Sequence, residues 1–233
     1  MMRTKRLVLD TETTGLKPGT DEILTLSIID GDGEIVWDAL YKPEHTTEWA
    51  AAEAINGIGP ADVEGCKGIS EDVDAINEML ADCEELVIYN ARYDLGMLAA
   101  VGIVPAAGVK ITDTMLEFAE AYRQPSKSHR AEYRWQKLSF AAHHVGYEWG
   151  HDHAHSSVGD CRATLAVQRA LDAGDVETWR EELDRVRAER DDVEVTWACP
   201  ECGARTWTDD ADLLGTSWTE VCDACGCRYD VEL

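Results

Sequence analysis

Positive charge is scarce in this chain. Lys and Arg number 21 against 46 Asp and Glu, a formal net charge of −25 over 233 residues. The deficit holds along the whole length. Residues 1–175 carry 30 acids and 15 bases, a net of −15, and residues 176–233 carry 16 and 6, a net of −10. Such a surface repels nucleic acid at long range, which counts against nonspecific coating of DNA. It leaves room for a nucleic-acid enzyme whose active site bridges phosphates through metal ions. An acid excess with few lysines is also what a halophilic or highly soluble surface shows. Long apolar runs are missing too. The first one, Leu7-Val8-Leu9, is interrupted by Asp10 and is too short for a signal-peptide core. No stretch approaches membrane-spanning length, so a cytoplasmic protein without membrane contact is expected. Internal repeats and low-complexity tracts are absent. In a cytosolic chain the 8 cysteines read as metal ligands and buried thiols rather than disulfides.

What is present is an α/β pattern. Short apolar runs at Leu7–Asp10, Ile23–Ile29 and Ile35–Leu40, with the turn Asp30-Gly31-Asp32-Gly33 between the last two, predict a three-stranded meander. Ser70 is positioned to cap a helix running to Leu80. Leu86–Asn90 and Val109–Thr112 predict further strands. Helices are expected over Arg92–Val101, Thr114–Tyr122, Lys137–Val145 and Asp160–Ala173. A meander leading into alternating helix and strand argues a layered α/β domain over residues 1–175. A charged helix over residues 176–192 would connect it to a second module at residues 193–233, where Cys, Trp, Thr and Asp dominate.

Three blocks carry the chemistry: Asp10-Thr11-Glu12-Thr13-Thr14-Gly15, Asn90-Ala91-Arg92-Tyr93-Asp94 and His155-Ser156-Ser157-Val158-Gly159-Asp160. Asp10 and Glu12 are two apart on a strand, so both carboxylates face one way. Asp94 and Asp160 are expected where helices begin, able to point at the same sheet edge. Carboxylates held together repel unless a cation sits among them, and oxygen-only ligation favours Mg²⁺ or Mn²⁺. Two such ions about 4 Å apart suit an in-line phosphoryl displacement. His155, with a pKa near working pH, would take a proton from the attacking water. Each block alone is weak; the three in this order are specific.

The pattern Asp-x-Glu-Thr-x-Gly, Asn-x-x-x-Asp and His-x4-Asp resembles the DEDDh 3′–5′ exonucleases, relatives of the polymerase III epsilon proofreading subunit, RNase T and oligoribonuclease. The likeness covers residues 5–175 and includes Ala54-Ile55-Asn56-Gly57-Ile58, Asp113-Thr114 and Gly159-Asp160-Cys161-Arg162-Ala163-Thr164. It implies an RNase H-like fold with a mixed five-stranded sheet flanked by helices. It implies Asp10, Glu12, Asp94 and Asp160 as ligands of two Mg²⁺ or Mn²⁺ and His155 as general base. Thr13, Thr14, Gly15 and Leu16 would bracket the 3′-terminal nucleotide, with Asn56 and Asn90 beside it. The product would be a 5′-mononucleotide. Asn56 replaces the family's usual histidine, and Ala51 stands where the epsilon-type chain has a glutamate. The expected substrate is the 3′ end of single-stranded DNA, with RNA trimming as the alternative.

Arg123, Lys127, Arg130, Arg134 and Lys137 gather among Tyr122, Tyr133 and Trp135. Basic and aromatic side chains together suit single-strand tracking, with an ordinary solvated loop as the competing reading. His143, His144, His151 and His153 crowd the same region, read as helix surface and loop in preference to a second metal site. In the last module, Cys199-Pro200-Glu201-Cys202 and Cys222-Asp223-Ala224-Cys225 form two Cys-x-x-Cys knuckles. That spacing predicts a zinc ribbon holding one structural Zn²⁺ through Cys199, Cys202, Cys222 and Cys225, with Cys227 as a less well-spaced substitute for Cys225. Residues 195–233 hold 8 acids and 2 bases, which favours a protein partner or internal packing for the ribbon over DNA. A recruitment protein acting through the ribbon is the reading from another class.

Overall fold

The computed structural model describes residues 6–126, 131–149, 156–189, 195–198, 201–202, 205–208, 217–222, 224–225 and 227–232. The chain divides into two compact units, residues 1–176 and 177–233.

The first unit is built on β1 (Arg6–Thr13), β2 (Ile23–Asp30), β3 (Ile35–Leu40), β4 (Glu85–Ile88) and β5 (Lys110–Asp113). The strand order is β3-β2-β1-β4-β5. β1, β2 and β3 pair antiparallel, while β4 and β5 join parallel to β1. This is the mixed five-stranded sheet that the family likeness implied. The β2–β3 hairpin closes as its turn residues dictate: Asp30 Oδ1 accepts the Asp32 and Glu34 amides (2.9 and 3.0 Å) and Gly33 takes φ 99°.

Period-two alternation divides the sheet into two faces. Leu7, Leu9, Leu26, Ile28, Leu86 and Ile88 pack on one side against Ile76 and Leu80 of α2 (Val73–Ala81) and Met97 and Leu98 of α3 (Ala91–Ala100). Val8, Ile29 and Val87 pack on the other against Cys161 and Leu165 of α6 (Ser157–Ala173). α4 (Thr114–Tyr122) and α5 (Leu138–His144) lie against α6. Asp113 ties two helices to β5, because Oδ2 accepts the Ala91 N–H at 2.9 Å and Oδ1 the Leu116 N–H at 3.2 Å.

Three local expectations shift. The helix expected from Ser70 starts at Val73, after a 3₁₀ turn at Ile69–Glu71. The Ser70 hydroxyl donates instead to Glu44 (2.9 Å), and Asp72 is engaged by Lys67 (2.6 Å) and Tyr41 (3.0 Å). A seven-residue helix, α1 (Ala50–Asn56), has no side-chain cap and no buried residue, so nothing in its pattern announced it. α6 begins at Ser157, which places Asp160 in its first turn rather than at its start.

The second unit contains α7 (Trp179–Glu189) and two antiparallel hairpins, β6 (Val195–Ala198) with β7 (Arg205–Thr208) and β8 (Ser217–Val221) with β9 (Arg228–Glu232). Thr178 and Glu181 form a capping box at α7: the Thr178 N–H donates to Glu181 Oε2 (2.8 Å) and the Glu181 N–H to Thr178 Oγ1 (3.3 Å).

Candidate active site

The site lies along β1, where the apolar run gives way to Asp10-Thr11-Glu12-Thr13. Strand alternation sends Asp10 and Glu12 to the face carrying Val8, the face covered by α6. The first turn of α6 brings Asp160 to them. Ligand oxygens of Asp10, Glu12 and Asp160 all lie within 4.8 Å of one another. Thr11 points to the opposite face and meets α3. Its hydroxyl and its N–H both donate to Asp94 Oδ1, at 2.7 and 3.2 Å. Asp94 is therefore held by the residue standing between Asp10 and Glu12.

Packing so many acids together has an electrostatic consequence. Burial, then repulsion from Asp94, Asp160 and Glu12, pushes the Asp10 carboxyl well above the ordinary range. Burial and repulsion from Asp160 raise Glu12 to about 8, against a hydrogen bond to Asn56 that pulls the other way. Burial raises Asp94 to about 7, despite the stabilising bonds from Thr11. Carboxylates of this kind reject their own charge until a cation joins them. Hard oxygen donors alone make up the group, which fits a divalent ion such as Mg²⁺ or Mn²⁺.

Beside the carboxylates is a cavity of about 310 Å³, lined by residues 11–16 together with Ala51, Ala52, Ile55, Asn56 and Tyr93. Thr13, Thr14, Gly15 and Leu16 form one wall, and Leu16, 80% exposed, stands at its rim. At Gly15 a Cβ would lie 2.5 Å from the Asp21 carboxylate, which accepts the Lys17 N–H at 2.8 Å, so any larger residue would displace that side chain from its bond. The Tyr93 hydroxyl props the same turn through Thr13 Oγ1 (2.5 Å) and the Gly15 carbonyl (2.9 Å). Asn56 spans from Glu12 to the turn: Nδ2 donates to the Thr13 carbonyl (3.3 Å) and Oδ1 accepts the Ile58 N–H (3.0 Å). Asn90 is outside this cavity lining. Its φ of 66° turns the chain from β4 into α3.

Arg134 and Trp135 are exposed on a segment tied to residues 124–126 by Ser126 N–H to Glu132 O (3.0 Å) and Arg134 N–H to Gln124 O (2.8 Å). The Tyr89 hydroxyl, just past β4, donates to the Gln136 carbonyl (3.0 Å) and pins that segment near the start of α3. His155, Arg130, Lys127, His151, His153 and Cys199 lie outside the described residues.

In the second unit, sulfurs of Cys202, Cys222 and Cys225 lie within 4.8 Å of one another. Cys202 and Cys222 are 3.7 Å apart. Two tetrahedral Zn–S bonds of about 2.3 Å would hold sulfurs about 3.8 Å apart, so the donor set fits a thiolate-bound ion. Cys227 offers its carbonyl to the Cys222 N–H (2.9 Å), which closes the second knuckle.

Sequence reasoning singled out the acids and the Thr13–Leu16 turn but not Thr11, Tyr93 or Asp113 as their supports. A signal for Tyr93 existed, since it adjoins Asp94. One existed for Asp113 too, which belongs to the Asp113-Thr114 pair of the family likeness and directly precedes the helix predicted from Thr114; its bond to the Ala91 N–H is set by tertiary structure.

Residues 7–168 match a family model described as Exonuclease. The chain is similar in structure to E. coli exonuclease I in complex with a dA16 oligonucleotide, with TM-score 0.59 and 16% identity, covering 88% of this chain and 51% of that one. It is similar to exonuclease X in complex with 5′ overhanging duplex DNA, with TM-score 0.51 and 22% identity, covering 72% of this chain and 91% of that one. The chain thus spans about half the length of exonuclease I. No curated protein sequence matches it.

Proposed function

Because the chain belongs to the exonuclease family matched over residues 7–168, we propose that it is a metal-dependent 3′–5′ exonuclease acting on single-stranded nucleic acid, DNA in preference to RNA. The observation that carries this is the convergence of Asp10, Glu12 and Asp160 oxygens within 4.8 Å, with Asp94 clamped to Thr11 beside them. Asp10, Glu12, Asp94 and Asp160 would hold two Mg²⁺ or Mn²⁺ ions. When bound, the ions would neutralise the acid cluster and stabilise charge on the attacking and leaving oxygens.

The protein's own groups do the rest. Thr13, Thr14, Gly15 and Leu16 hold the 3′-terminal nucleotide in the adjoining cavity, with Asn56 and Tyr93 fixing that wall. His155 takes the proton from the attacking water. The new bond forms between water oxygen and phosphorus, and the P–O3′ bond breaks. A 5′-mononucleotide leaves, and the O3′ of the shortened strand takes a proton from solvent to become its new 3′-hydroxyl. Arg130 and Arg134, with Trp135, would track the strand further from its end, and Asn90 would set the approach to Asp94. The DNA in the exonuclease I and exonuclease X complexes supports DNA as substrate.

Digestion of 3′-labelled DNA and RNA strands, with EDTA and with each metal, tests this reading. Mononucleotide release that requires Mg²⁺ or Mn²⁺ is expected, and Asp10→Ala or His155→Ala should abolish it. Full activity in either variant refutes the assignment; faster RNA digestion reassigns the substrate to RNA.

Residues 1–175 would form the catalytic domain, 176–192 the connecting helix and 193–233 a zinc ribbon. The Cys202, Cys222 and Cys225 group supports a structural Zn²⁺, completed by Cys199. The acidity of this module favours a protein partner. Deleting residues 191–233 should leave mononucleotide release intact and remove partner binding; lost nuclease activity would contradict a recruitment role.

A further inference from the structure

Between Ile23 and Ile29, β2 is apolar except for Thr25 and Ser27, and both belong to the face covered by α6. Their register places them beside the metal-ligand candidates: Thr25 pairs with Glu12 and Ser27 with Asp10. Across the next pairing, Ser27 faces Asp38 of β3. The first residue of α6, Ser157, inserts its hydroxyl between the two. Thr25, Ser27 and Ser157 are 8%, 0% and 6% exposed. Buried hydroxyls need partners, and these bond to one another.

The bonds form one chain. At the register shift between Glu12 and Thr13, the Glu12 N–H donates to Thr25 Oγ1 at 3.2 Å. Thr25 Oγ1 donates to Ser157 Oγ at 3.0 Å. Ser157 and Ser27 hydroxyls meet at 2.6 Å, and Ser27 Oγ donates to Asp38 Oδ1 at 2.8 Å. The direction is fixed at both ends. An amide N–H can only donate, and at the other end Asp38 Oδ1 accepts the one proton of the Ser27 hydroxyl. Every hydroxyl between them therefore donates the same way, so Ser157 donates to Ser27.

The chain joins two candidate ligands. It starts at the backbone of Glu12 and passes through Ser157, one helical turn before Asp160 on the same side of α6. Ser156, the helix's N-cap, makes no side-chain capping bond. The Ser157 hydroxyl grips the helix start from its first residue, and the Cys161 thiol, beside Asp160, adds bonds to the Val8 and Ser27 carbonyls at 3.6 and 3.4 Å. A ligand cluster works only when its members are held to about 0.5 Å, and groups behind the ligands do this holding.

We propose that Thr25, Ser27 and Ser157 are positioning residues: a one-way hydroxyl relay, terminated by the exposed Asp38 carboxylate, that sets Asp160 against Asp10 and Glu12. This rests on the reading of those acids as metal ligands. Removing a hydroxyl should weaken metal binding about tenfold, as loss of a supporting partner does elsewhere.

The test is Mn²⁺ binding to the full chain, read from the spectroscopic signal of free Mn²⁺, alongside thermal unfolding. Ser157→Ala should bind Mn²⁺ about tenfold more weakly with KM for a single strand unchanged. Thr114→Val is the control. It removes a comparably buried hydroxyl bond to the same helix, at Gln168 (2.9 Å), and should lower stability while leaving Mn²⁺ affinity within about twofold of the unaltered protein, because it supports no ligand. Asp38→Ala, an exposed change that spares the core, should weaken Mn²⁺ binding about threefold, below the full loss. Asp38→Asn keeps an acceptor and loses the same charge, and should match the unaltered protein. Equal affinity in Ser157→Ala and Thr114→Val, or in Asp38→Ala and Asp38→Asn, overturns the relay alone. No Mn²⁺ binding by the unaltered protein overturns the metal site and the relay together.

Discussion

Replacing Glu12 with Gln should make the metal-free protein more stable in mild alkali. The Glu12 carboxyl titrates near 4.5 when unfolded and at about 8 when folded, because burial and Asp160 oppose its charge. The sign follows directly. Between those two values the unfolded chain is ionised while the folded protein still holds the proton. Stability is thus highest at the acid side of this interval, falls as pH rises through it and levels off above about 8. At about 1.4 kcal/mol per unit, ionising Glu12 in place costs on the order of 5 kcal/mol. Glu12→Gln removes that penalty, about 4 kcal/mol near pH 8 where half of the folded protein is still protonated, which for a unit of this size raises Tm by roughly 8–16 °C. Mg²⁺ should favour the unaltered protein over Glu12→Gln. It binds the deprotonated cluster, so it stabilises the unaltered protein more at high pH than at low pH. In Glu12→Gln that increment should fall by half or more. Thermal unfolding followed by circular dichroism, in EDTA and in Mg²⁺ across this pH range, reads all of these quantities. A metal-free Glu12→Gln protein no more stable than the original at pH 8 would refute the reasoning.

Three further outcomes concern other residues. Asp113→Ala loses two helix-start bonds, to Ala91 and Leu116, and should cost about 2 kcal/mol in thermal unfolding, with Asp113→Asn keeping part of it; an unchanged Tm would show that water replaces both. Glu85, held by Arg6, Lys110 and Thr112 at 2.7 Å each, has its carboxyl pulled down from 4.5 to about 2 against the effect of burial. Its contribution is complete above pH 4.5 and is lost as pH falls to about 2. Glu85→Gln should therefore destabilise by about 2 kcal/mol at neutral pH and flatten the acid unfolding curve, and an unaltered acid curve would remove Glu85 from the account. Charge reversal at Arg130 and Arg134 should raise KM on long single strands and reduce its salt dependence; KM unchanged on such strands would reject the tracking role.

The ligand candidates were legible because three blocks occur in order, each placed by local rules. A strand puts residues two apart on one face, so the spacing of Asp10 and Glu12 sets their common direction, while their role was legible only together with Asp94 and Asp160. The Thr13–Leu16 turn follows directly on that strand and shares the cavity with Glu12. The sheet was legible for a similar reason: its strands are short apolar runs bounded by turn residues, and the Asp30–Gly33 turn fixes one pairing. Ser70 misled because a capping residue is defined by where its hydroxyl goes, and that hydroxyl went to Glu44, which is 26 positions away. α1 offered neither a cap nor a buried stripe to read.

The sequence by itself determined the donor types, the acid-rich electrostatics and the alternation that sorts β1 into two faces. Each of these depends on residue identity and on neighbours within a few positions. Only the tertiary structure decided which groups support the acids. Thr11 meets Asp94 across 83 positions, and Ser27 meets Ser157 across 130. A hydroxyl is equally able to bond water, backbone or another side chain, so its residue type does not specify a partner. That choice is made when α6 docks on the sheet and excludes the water.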